Sequence, residues 1–299
     1  MNFLVCLSSY YDTAFCVGMI IYTSLRINNG YLIMYQEQLS ASKPGLIIIL
    51  IDQSGSMLDS YAGSTKAGFA TLAVNKTIDE IIKSCSVGDE IRDRCYVAVI
   101  GYGKGVNVLF LEKPSDLAKN PNTTTVKKKI SDGAGGLVEI EEVARVFATP
   151  TGEGGTPMAQ AFQQAYKGVE KFISSNPNSF PPIVINITDG EPDNFDTAAT
   201  EAKKLGQLKT TDGNVIILNA HISTASAGKV ELPSGDSAFS SNKFAKFLFD
   251  ISTPLPDTLA DSAKDSGFNV QPGARGFVFN ADAETLIKLL NFGSQGPLR

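Results

Sequence analysis

The sequence is poor in the side chains that build soft-metal sites. It contains a single histidine, His221, no tryptophan, and four cysteines that never form a CxxC pair. Zinc clusters need several cysteine and histidine ligands at short spacings, so this class of site is excluded. Cys85 and Cys95 flank a predicted helix-to-strand connection, and we expect free thiols there, as in intracellular proteins. The cysteine usage therefore favours a cytoplasmic protein.

Basic charge is also scarce. Lysine and arginine total 26 residues against 31 aspartates and glutamates, which leaves a net charge of −5. Nucleic-acid-binding domains carry a clustered basic surface. The sequence offers only the run at residues 127–129, which we interpret as a solvated helix end. We therefore expect no nucleic-acid partner.

No apolar stretch has the length and purity of a membrane span. Residues 14–22 are apolar, but Asp12 interrupts the wider run, no basic segment precedes it and no small-residue cleavage site follows. We assign residues 1–40 to an N-terminal extension and expect translation to start at Met34, which makes residues 1–33 a mis-called or disordered segment. A weak membrane or signal segment is the alternative interpretation.

What the sequence contains is an alternation of apolar, β-branched runs with helical patterns. Strands are predicted at 47–51, 95–101, 182–187, 215–222 and 276–279, with 106–111 as an antiparallel partner of the second. Helices are predicted at 65–84, 158–172, 196–208, 243–249, 256–266 and 281–292. This order predicts an α/β fold, a mostly parallel sheet flanked by helices with one antiparallel edge strand. We expect one domain over residues 44–292, with excursions at 113–150 and 223–276 and a tail at 293–299.

The first predicted strand ends in a cluster of oxygen-bearing side chains. Asp52, Ser54 and Ser56 follow it at alternate positions. In open α/β sheets, ligands bind outside the carboxyl ends of the strands. One anionic and two neutral oxygen donors suit Mg²⁺ better than a soft metal. The junction therefore predicts a site for a hard cation.

Two further segments reach the same predicted edge. Thr156 follows two glycines directly before a predicted helix, and Asp189 follows the strand at 182–187. Alone, Thr156 is explained as a helix cap and Asp189 as part of a tight turn. Because both meet the predicted cation site, the sequence predicts one metal site made of Asp52, Ser54, Ser56, Thr156 and Asp189.

This pattern resembles the metal-ion-dependent adhesion site (MIDAS) of the von Willebrand factor A (VWA) domain family, which reads D-x-S-x-S, then T, then D. The stretches Gly-Gly-Thr-Pro-Met and Ile-Thr-Asp-Gly-Glu-Pro are similar to the bacterial stand-alone members in particular. The resemblance covers about residues 44–292. It implies a Rossmann-like, doubly wound fold with the site on top of the sheet. It also implies that Ser54, Ser56 and Thr156 supply hydroxyls, while Asp52 and Asp189 bind directly or through water.

The resemblance implies a non-enzymatic, metal-dependent interaction domain that acts as an adaptor or scaffold in signalling. Two carboxylates nearly neutralise Mg²⁺, so the cation stays electrophilic and a partner's Asp or Glu can displace its remaining water. Mn²⁺ and Ca²⁺ accept the same oxygens. The expected partner is a protein such as a kinase, phosphatase or ATPase encoded nearby. Glu153, Glu191 and Asp193 are open to two interpretations, as solvated acids or as groups that tune or complete the site.

Two alternatives remain. A Mg²⁺-dependent phosphohydrolase of the haloacid dehalogenase type would use Asp52 as nucleophile and a second acid two residues later as general acid. Position 54 is serine, which does not fit that role. The second alternative is a VWA domain whose metal is purely structural and binds no partner.

Overall fold

The computed structural model describes residues 27–28, 31–32, 34–61, 63–119, 121–131, 137–223, 228–295 and 298. The chain divides into two compact units, Met1–Ile33 and Met34–Arg299. In the first unit, Ile27–Asn28 pairs antiparallel with Tyr31–Leu32. The rest of that unit, including Cys6, Cys16 and the apolar residues 14–22, lies outside the described residues. The second unit contains the fold and the candidate site.

A seven-stranded sheet forms the centre of the described part of the second unit. Seven strands of this sheet and two strands of a separate hairpin are numbered together in chain order. They are β1 (Gly45–Asp52), β2 (Cys95–Tyr102), β3 (Val106–Glu112), β4 (Asn122–Ser131), β5 (Leu137–Val146), β6 (Ile183–Thr188), β7 (Ile216–Ile222), β8 (Val230–Glu231) and β9 (Phe277–Ala281). The order across the sheet is β8-β9-β7-β6-β1-β2-β3, and β4 and β5 form a separate hairpin. The five central strands are parallel, and β8 and β3 are antiparallel edges. The fold is the predicted Rossmann-like α/β arrangement.

Helices cover both faces of the sheet. They are α1 (Lys66–Cys85), α2 (Pro114–Leu117), α3 (Met158–Ser175), α4 (Phe195–Gln207), α5 (Lys243–Ile251), α6 (Asp257–Asp265) and α7 (Ala283–Gln295). Ile47, Ile49 and Ile51 of β1 belong to one core with α1, α6 and α7. Ile48 and Leu50 belong to a second core with α3, α4 and α5. Because β1 is buried on both faces, it is apolar at successive positions rather than at alternate ones.

Three two-residue ladders close tight turns between these elements of the second unit. They pair Ser60–Tyr61 with Ser64–Thr65, Ser86–Val87 with Glu90–Ile91, and Lys209–Thr210 with Gly213–Asn214. The first of them connects the end of β1 to α1, and the second connects α1 to β2.

The structure departs from the sequence predictions at three places. The excursion at 113–150 contains α2 and the ten-residue strands of the β4–β5 hairpin. Residues 127–129 consequently lie in a strand and not at a helix end. The short strand β8 adds a second antiparallel edge where one was predicted.

The compact unit also begins earlier than the predicted domain. Residues 34–40 belong to it, since the backbone N–H groups of Gln36 and Glu37 donate to the two carboxylate oxygens of Asp212 at 2.9 Å and 3.0 Å. The Leu39 side chain is buried in the core. The compact unit therefore begins at Met34, and the predicted extension over residues 1–40 is too long by residues 34–40.

The prediction of free thiols at Cys85 and Cys95 is met, and both are buried. Phe239, Phe244, Phe247 and Phe249 pack in the second core. None of the helices in the described residues has the length and apolar character needed to cross a membrane.

A buried polar network crosses the centre of the sheet. The Tyr102 hydroxyl donates to Asn186 Oδ1 at 2.7 Å, and Asn186 Nδ2 donates to Asn219 Oδ1 at 3.0 Å. Asn219 Nδ2 then donates to Ser252 Oγ at 2.9 Å. Each polar group is away from water, so each depends on its neighbour for a hydrogen-bond partner. The network joins side chains of β2, β6 and β7 and links them to Ser252 after α5.

Tyr102→Phe removes the hydroxyl at one end of this network and leaves Asn186 Oδ1 buried without that donor. We expect a loss of about 1–3 kcal/mol in the free energy of unfolding, measured by urea denaturation. Tyr166→Phe is the matched control, because the Tyr166 hydroxyl donates a hydrogen bond to Glu170 Oε1 at the surface, at a distance of 3.3 Å. It should change stability by less than about 0.5 kcal/mol. Equal losses in the two variants would contradict the role given to the network.

Candidate metal site

Asp52 and Asp189 meet because their strands are neighbours. Ile51 of β1 pairs with Ile187 of β6 in parallel register, so both chains leave the sheet at the same edge. Asp52 is the last residue of β1, and Asp189 directly follows Thr188, the last residue of β6. The parallel register therefore brings the two acids predicted from the sequence to one place.

Asp52 is fully buried, with an exposed fraction of 0%. Its Oδ1 accepts the backbone N–H of Ser54 at 2.8 Å, and its Oδ2 accepts the Thr188 hydroxyl at 2.6 Å. Burial raises the pKa of the Asp52 carboxyl to about 6, and the hydrogen bonds from Thr188 and Ser54 offset only part of that effect. A cation beside this carboxylate would compensate its poor solvation.

The hydroxyls of Ser54 and Ser56 connect the end of β1 to Asp189. Ser54 Oγ lies 3.1 Å from Ser56 Oγ, and Ser56 Oγ donates to Asp189 Oδ1 at 2.9 Å. A short 3-10 helix, Gly55–Leu58, carries Ser56, and its buried Met57 anchors the turn in the core. The side chains of Ser54, Ser56 and Asp189 therefore form one continuous set of oxygen contacts.

A glycine-rich loop brings Thr156 to the same place. The Gly55 N–H donates to Gly154 O at 3.1 Å, so this loop pairs with the segment after β1. Gly154 has φ +90°, a left-handed conformation that favours glycine. A Cβ placed on Gly190 would lie 3.6 Å from Thr156 Oγ1 and 3.7 Å from Ser56 Oγ. The structure thus brings all five predicted site residues together.

Of the three acids whose role the sequence left open, Asp193 has a defined one. Its Oδ1 accepts the Thr156 N–H at 2.8 Å, and its own N–H donates to Thr156 O at 3.1 Å. Asp193 therefore positions Thr156. Glu153 pairs with Lys104 at 2.8 Å on the surface, and Glu191 is exposed.

The site opens to solvent on one side. Asp52, Ser54 and Thr156 are buried, whereas Ser56 and the adjoining Gly55 are exposed. A cleft of about 560 Å³ borders the opening. Its lining includes four glycines, Gly103, Gly105, Gly154 and Gly155, together with Lys104 and Asp193.

Lys66 is a residue of the site that sequence reasoning missed. It is the first residue of α1, its side chain is only 8% exposed, and its Nζ donates to Asp189 Oδ2 at 2.7 Å. A second bond runs to Asp59 Oδ2 at 3.0 Å. Burial alone would lower the pKa of the Lys66 amine, but the bonds to Asp189 and Asp59 raise it above its ordinary value. The amine is therefore charged at neutral pH.

His221 lies behind the site as a packed residue. Its ring stacks on Phe279 at 4.5 Å between centroids, and its Nδ1 accepts the Asn280 N–H at 3.4 Å. Burial lowers the pKa of His221 to about 4. The imidazole is consequently neutral at pH 7.

The donor set fits a hard divalent cation. It consists of two carboxylates and three hydroxyls, the ligand types that Mg²⁺, Mn²⁺ and Ca²⁺ accept. Within the part of the chain that the structure describes, no three His, Cys, Asp or Glu side chains are grouped to hold a metal. A metal at this edge would therefore depend on Ser54, Ser56 and Thr156 as well as on the two aspartates.

No protein-family model matches the chain, and no curated protein matches it. Solved structures do resemble it. The pilus adhesin SpaC from Lactobacillus rhamnosus GG is 15% identical and covers 88% of this chain and 31% of its own, with a TM-score of 0.53. VWA2, the ArnB paralog of Sulfolobus acidocaldarius, is 15% identical, with coverages of 62% and 36% and a TM-score of 0.35.

The proximal thread matrix protein 1 of the mussel byssus, with zinc in its MIDAS motif, is 13% identical, with coverages of 62% and 38% and a TM-score of 0.35. The similar structures thus include VWA-type proteins. Of these three structures, SpaC has the TM-score above 0.5, and at 15% identity the likeness concerns the fold alone. The chain spans less than two thirds of the length of each of these proteins.

The raised pKa of Asp52 predicts how the metal-free protein responds to Asp52→Asn. The pKa of about 6 in the folded protein lies above the ordinary value of 3.8, so Asp52 contributes stability below pH 3.8 that is lost as the pH rises through 6. Asparagine cannot ionise. At pH 7 in EDTA, we expect the free energy of unfolding of Asp52→Asn to be higher than that of wild type by an amount on the order of 2 kcal/mol.

Thermal unfolding with Mg²⁺ completes this test. Wild type should gain in Tm, because a ligand that binds only the native state stabilises it, and Asp52→Asn should not gain. Asp261→Asn is the control, since Asp261 is 72% exposed and pairs with Lys264 at the surface. It should behave as wild type in both conditions. A variant at Asp52 that is less stable in EDTA and still responds to Mg²⁺ would refute the assignment.

Proposed function

We propose that the chain is a VWA-type interaction module that binds a carboxylate of another protein through a Mg²⁺ ion held by Asp52, Ser54, Ser56, Thr156 and Asp189. One observation carries the proposal. Two buried acids and three hydroxyls converge at the carboxyl ends of the central strands, and the site is exposed only at Ser56 and the neighbouring loop. A site of this kind can hold a cation from below and present it to a partner.

The residues of the proposed site have two roles, to hold the cation and to leave one side of it open to a partner. Ser54 and Thr188 hold the Asp52 carboxylate in one orientation through hydrogen bonds to its two oxygens. Asp193 fixes the loop that carries Thr156. The bound cation would supply an electrophilic centre for the incoming carboxylate. Because hydroxyls add no negative charge, they leave that centre less neutralised than a set of acids would.

The geometry favours this function over the phosphohydrolase. A nucleophilic aspartate must reach a phosphorus atom, whereas Asp52 is 0% exposed and both of its oxygens accept hydrogen bonds. The residue two positions later is serine, so the general acid of that mechanism has no counterpart there. We therefore propose a non-catalytic role. An exclusively structural metal would not need the opening at Ser56.

The cleft beside the site accommodates a partner segment. Gly103 closes against the backbone of neighbouring loops, since a Cβ there would lie 2.3 Å from Gln53 O. Because the glycines of this cleft have no side chains, a partner's main chain can approach the site closely. A kinase, phosphatase or ATPase as the partner, a signalling role and a cytoplasmic location remain parts of the proposal that rest on the resemblance.

Affinity capture tests the proposal. Immobilised wild type and Asp52→Asn are exposed to native extract in Mg²⁺ or EDTA, and the retained proteins are quantified by mass spectrometry. We expect proteins that wild type retains in Mg²⁺ and releases in EDTA, and that Asp52→Asn does not retain. For a captured partner, replacement of the bridging Asp or Glu by its amide should abolish binding. Retention that survives both EDTA and Asp52→Asn would show that the bridging mechanism is wrong.

A further inference from the structure

Lys66 occupies a position that local chemistry disfavours. It is the first residue of α1, where the helix dipole presents positive charge and a cation is unfavourable. Its side chain is also 8% exposed, although lysine is seldom buried. Contacts beyond the helix must therefore hold it there. They are Asp189 Oδ2 at 2.7 Å, Asp59 Oδ2 at 3.0 Å and Ser56 O at 3.4 Å.

The two carboxylate oxygens of Asp189 consequently have different partners. Oδ2 accepts from Lys66, while Oδ1 faces Ser56 Oγ at 2.9 Å, within the proposed site. The Asp189 side chain is 0% exposed, so water does not compete for either oxygen. As long as Lys66 keeps this bond, only Oδ1 is available to a cation, and Asp189 cannot chelate with both oxygens.

Lys66 also changes the charge of the site. Asp52 and Asp189 carry −2 and Lys66 carries +1, so the buried groups sum to −1 before a cation binds. With a divalent cation, the sum becomes +1. Asp59 is 63% exposed, and solvent therefore screens its charge more strongly. A site with a net positive charge attracts an anion, whereas the same site without Lys66 would be neutral.

We infer that Lys66 is a fixed internal cation that shares Asp189 with the metal, and that it weakens metal binding in order to strengthen binding of the partner's carboxylate. The inference rests on the proposed function and adds the residue that sets the balance between its two affinities. Lys66 is a positioning residue in this account, since it acts through Asp189. A merely structural ion pair would have a different signature, because its loss would loosen the site and weaken both affinities together.

Mn²⁺ is a suitable probe, because its electron paramagnetic resonance reports free metal and its effect on water proton relaxation reports bound water. The full chain is titrated with Mn²⁺ as wild type and as Lys66→Met. We expect Lys66→Met to bind Mn²⁺ at least about tenfold more tightly, since a charge within about 4–6 Å changes the proton affinity of a carboxylate by roughly 1–3 pKa units. Acetate is then added to the Mn²⁺-loaded proteins to displace bound water. Its half-saturating concentration should rise severalfold in Lys66→Met.

Three further variants make the result interpretable. Lys66→Arg keeps the charge and should stay within about threefold of wild type for both ligands, a change smaller than one charge produces. Asp59→Asn leaves Lys66 to Asp189 alone and should not increase Mn²⁺ affinity. If circular dichroism shows that Lys66→Met is unfolded, Lys66→Gln replaces it, because glutamine keeps an N–H donor without the charge. The same opposite changes are expected of it.

The outcomes separate the two hypotheses. Tighter Mn²⁺ binding with weaker acetate binding supports the inference. Mn²⁺ affinity that is unchanged or lower in a folded, uncharged variant overturns it and leaves the proposed function intact. Failure of wild type to bind Mn²⁺ at all would overturn the proposed function together with the inference.

Discussion

The burial of two carboxylates at the ends of adjacent parallel strands is the constraint from which the site follows. The register of β1 and β6 places Asp52 and Asp189 together, and neither side chain is exposed. A buried carboxylate is costly unless hydrogen bonds or opposite charge compensate it. Thr188, the Ser54 backbone and Lys66 supply that compensation. The compensation is incomplete at Asp52, whose pKa burial raises to about 6.

This incomplete compensation connects the fold to its proposed use. A neutral side chain at position 52 would avoid the cost of burying a carboxylate, so the acid there points to a ligand that restores the balance. The loops agree with this interpretation. The Thr156 loop hydrogen-bonds the segment after β1 and is itself held by Asp193, so the hydroxyls are ordered before any ligand arrives. Rigid strands and paired loops thus create a preorganised site that is open at Ser56.

The sequence predicted the parts of the structure that depend on local pattern. β1 was predictable because an uninterrupted apolar run of this length is typical of a strand buried on both faces, and the convergence of the five predicted site residues because each lies at the end of a strand or the start of a helix. The β4–β5 hairpin was missed because its Thr, Lys and Glu residues give little apolar periodicity. Lys66 was missed because its partner Asp189 is 123 residues away, and a lysine at a helix start is usually solvated. Contacts set by tertiary packing, as here, leave no local signal.

The most direct test of the account is the anomalous scattering of Mn²⁺ in crystals of the protein. A single strong peak is expected between Asp189 Oδ1 and the hydroxyls of Ser54, Ser56 and Thr156. Coordination distances should be about 2.0–2.6 Å, the range of Mg²⁺ and Ca²⁺ sites built from oxygen. Lys66 should remain bonded to Asp189 Oδ2. Absence of a peak there, or a peak only at the surface acids Glu153 and Glu191, would contradict the central claim that this sheet edge is a metal site.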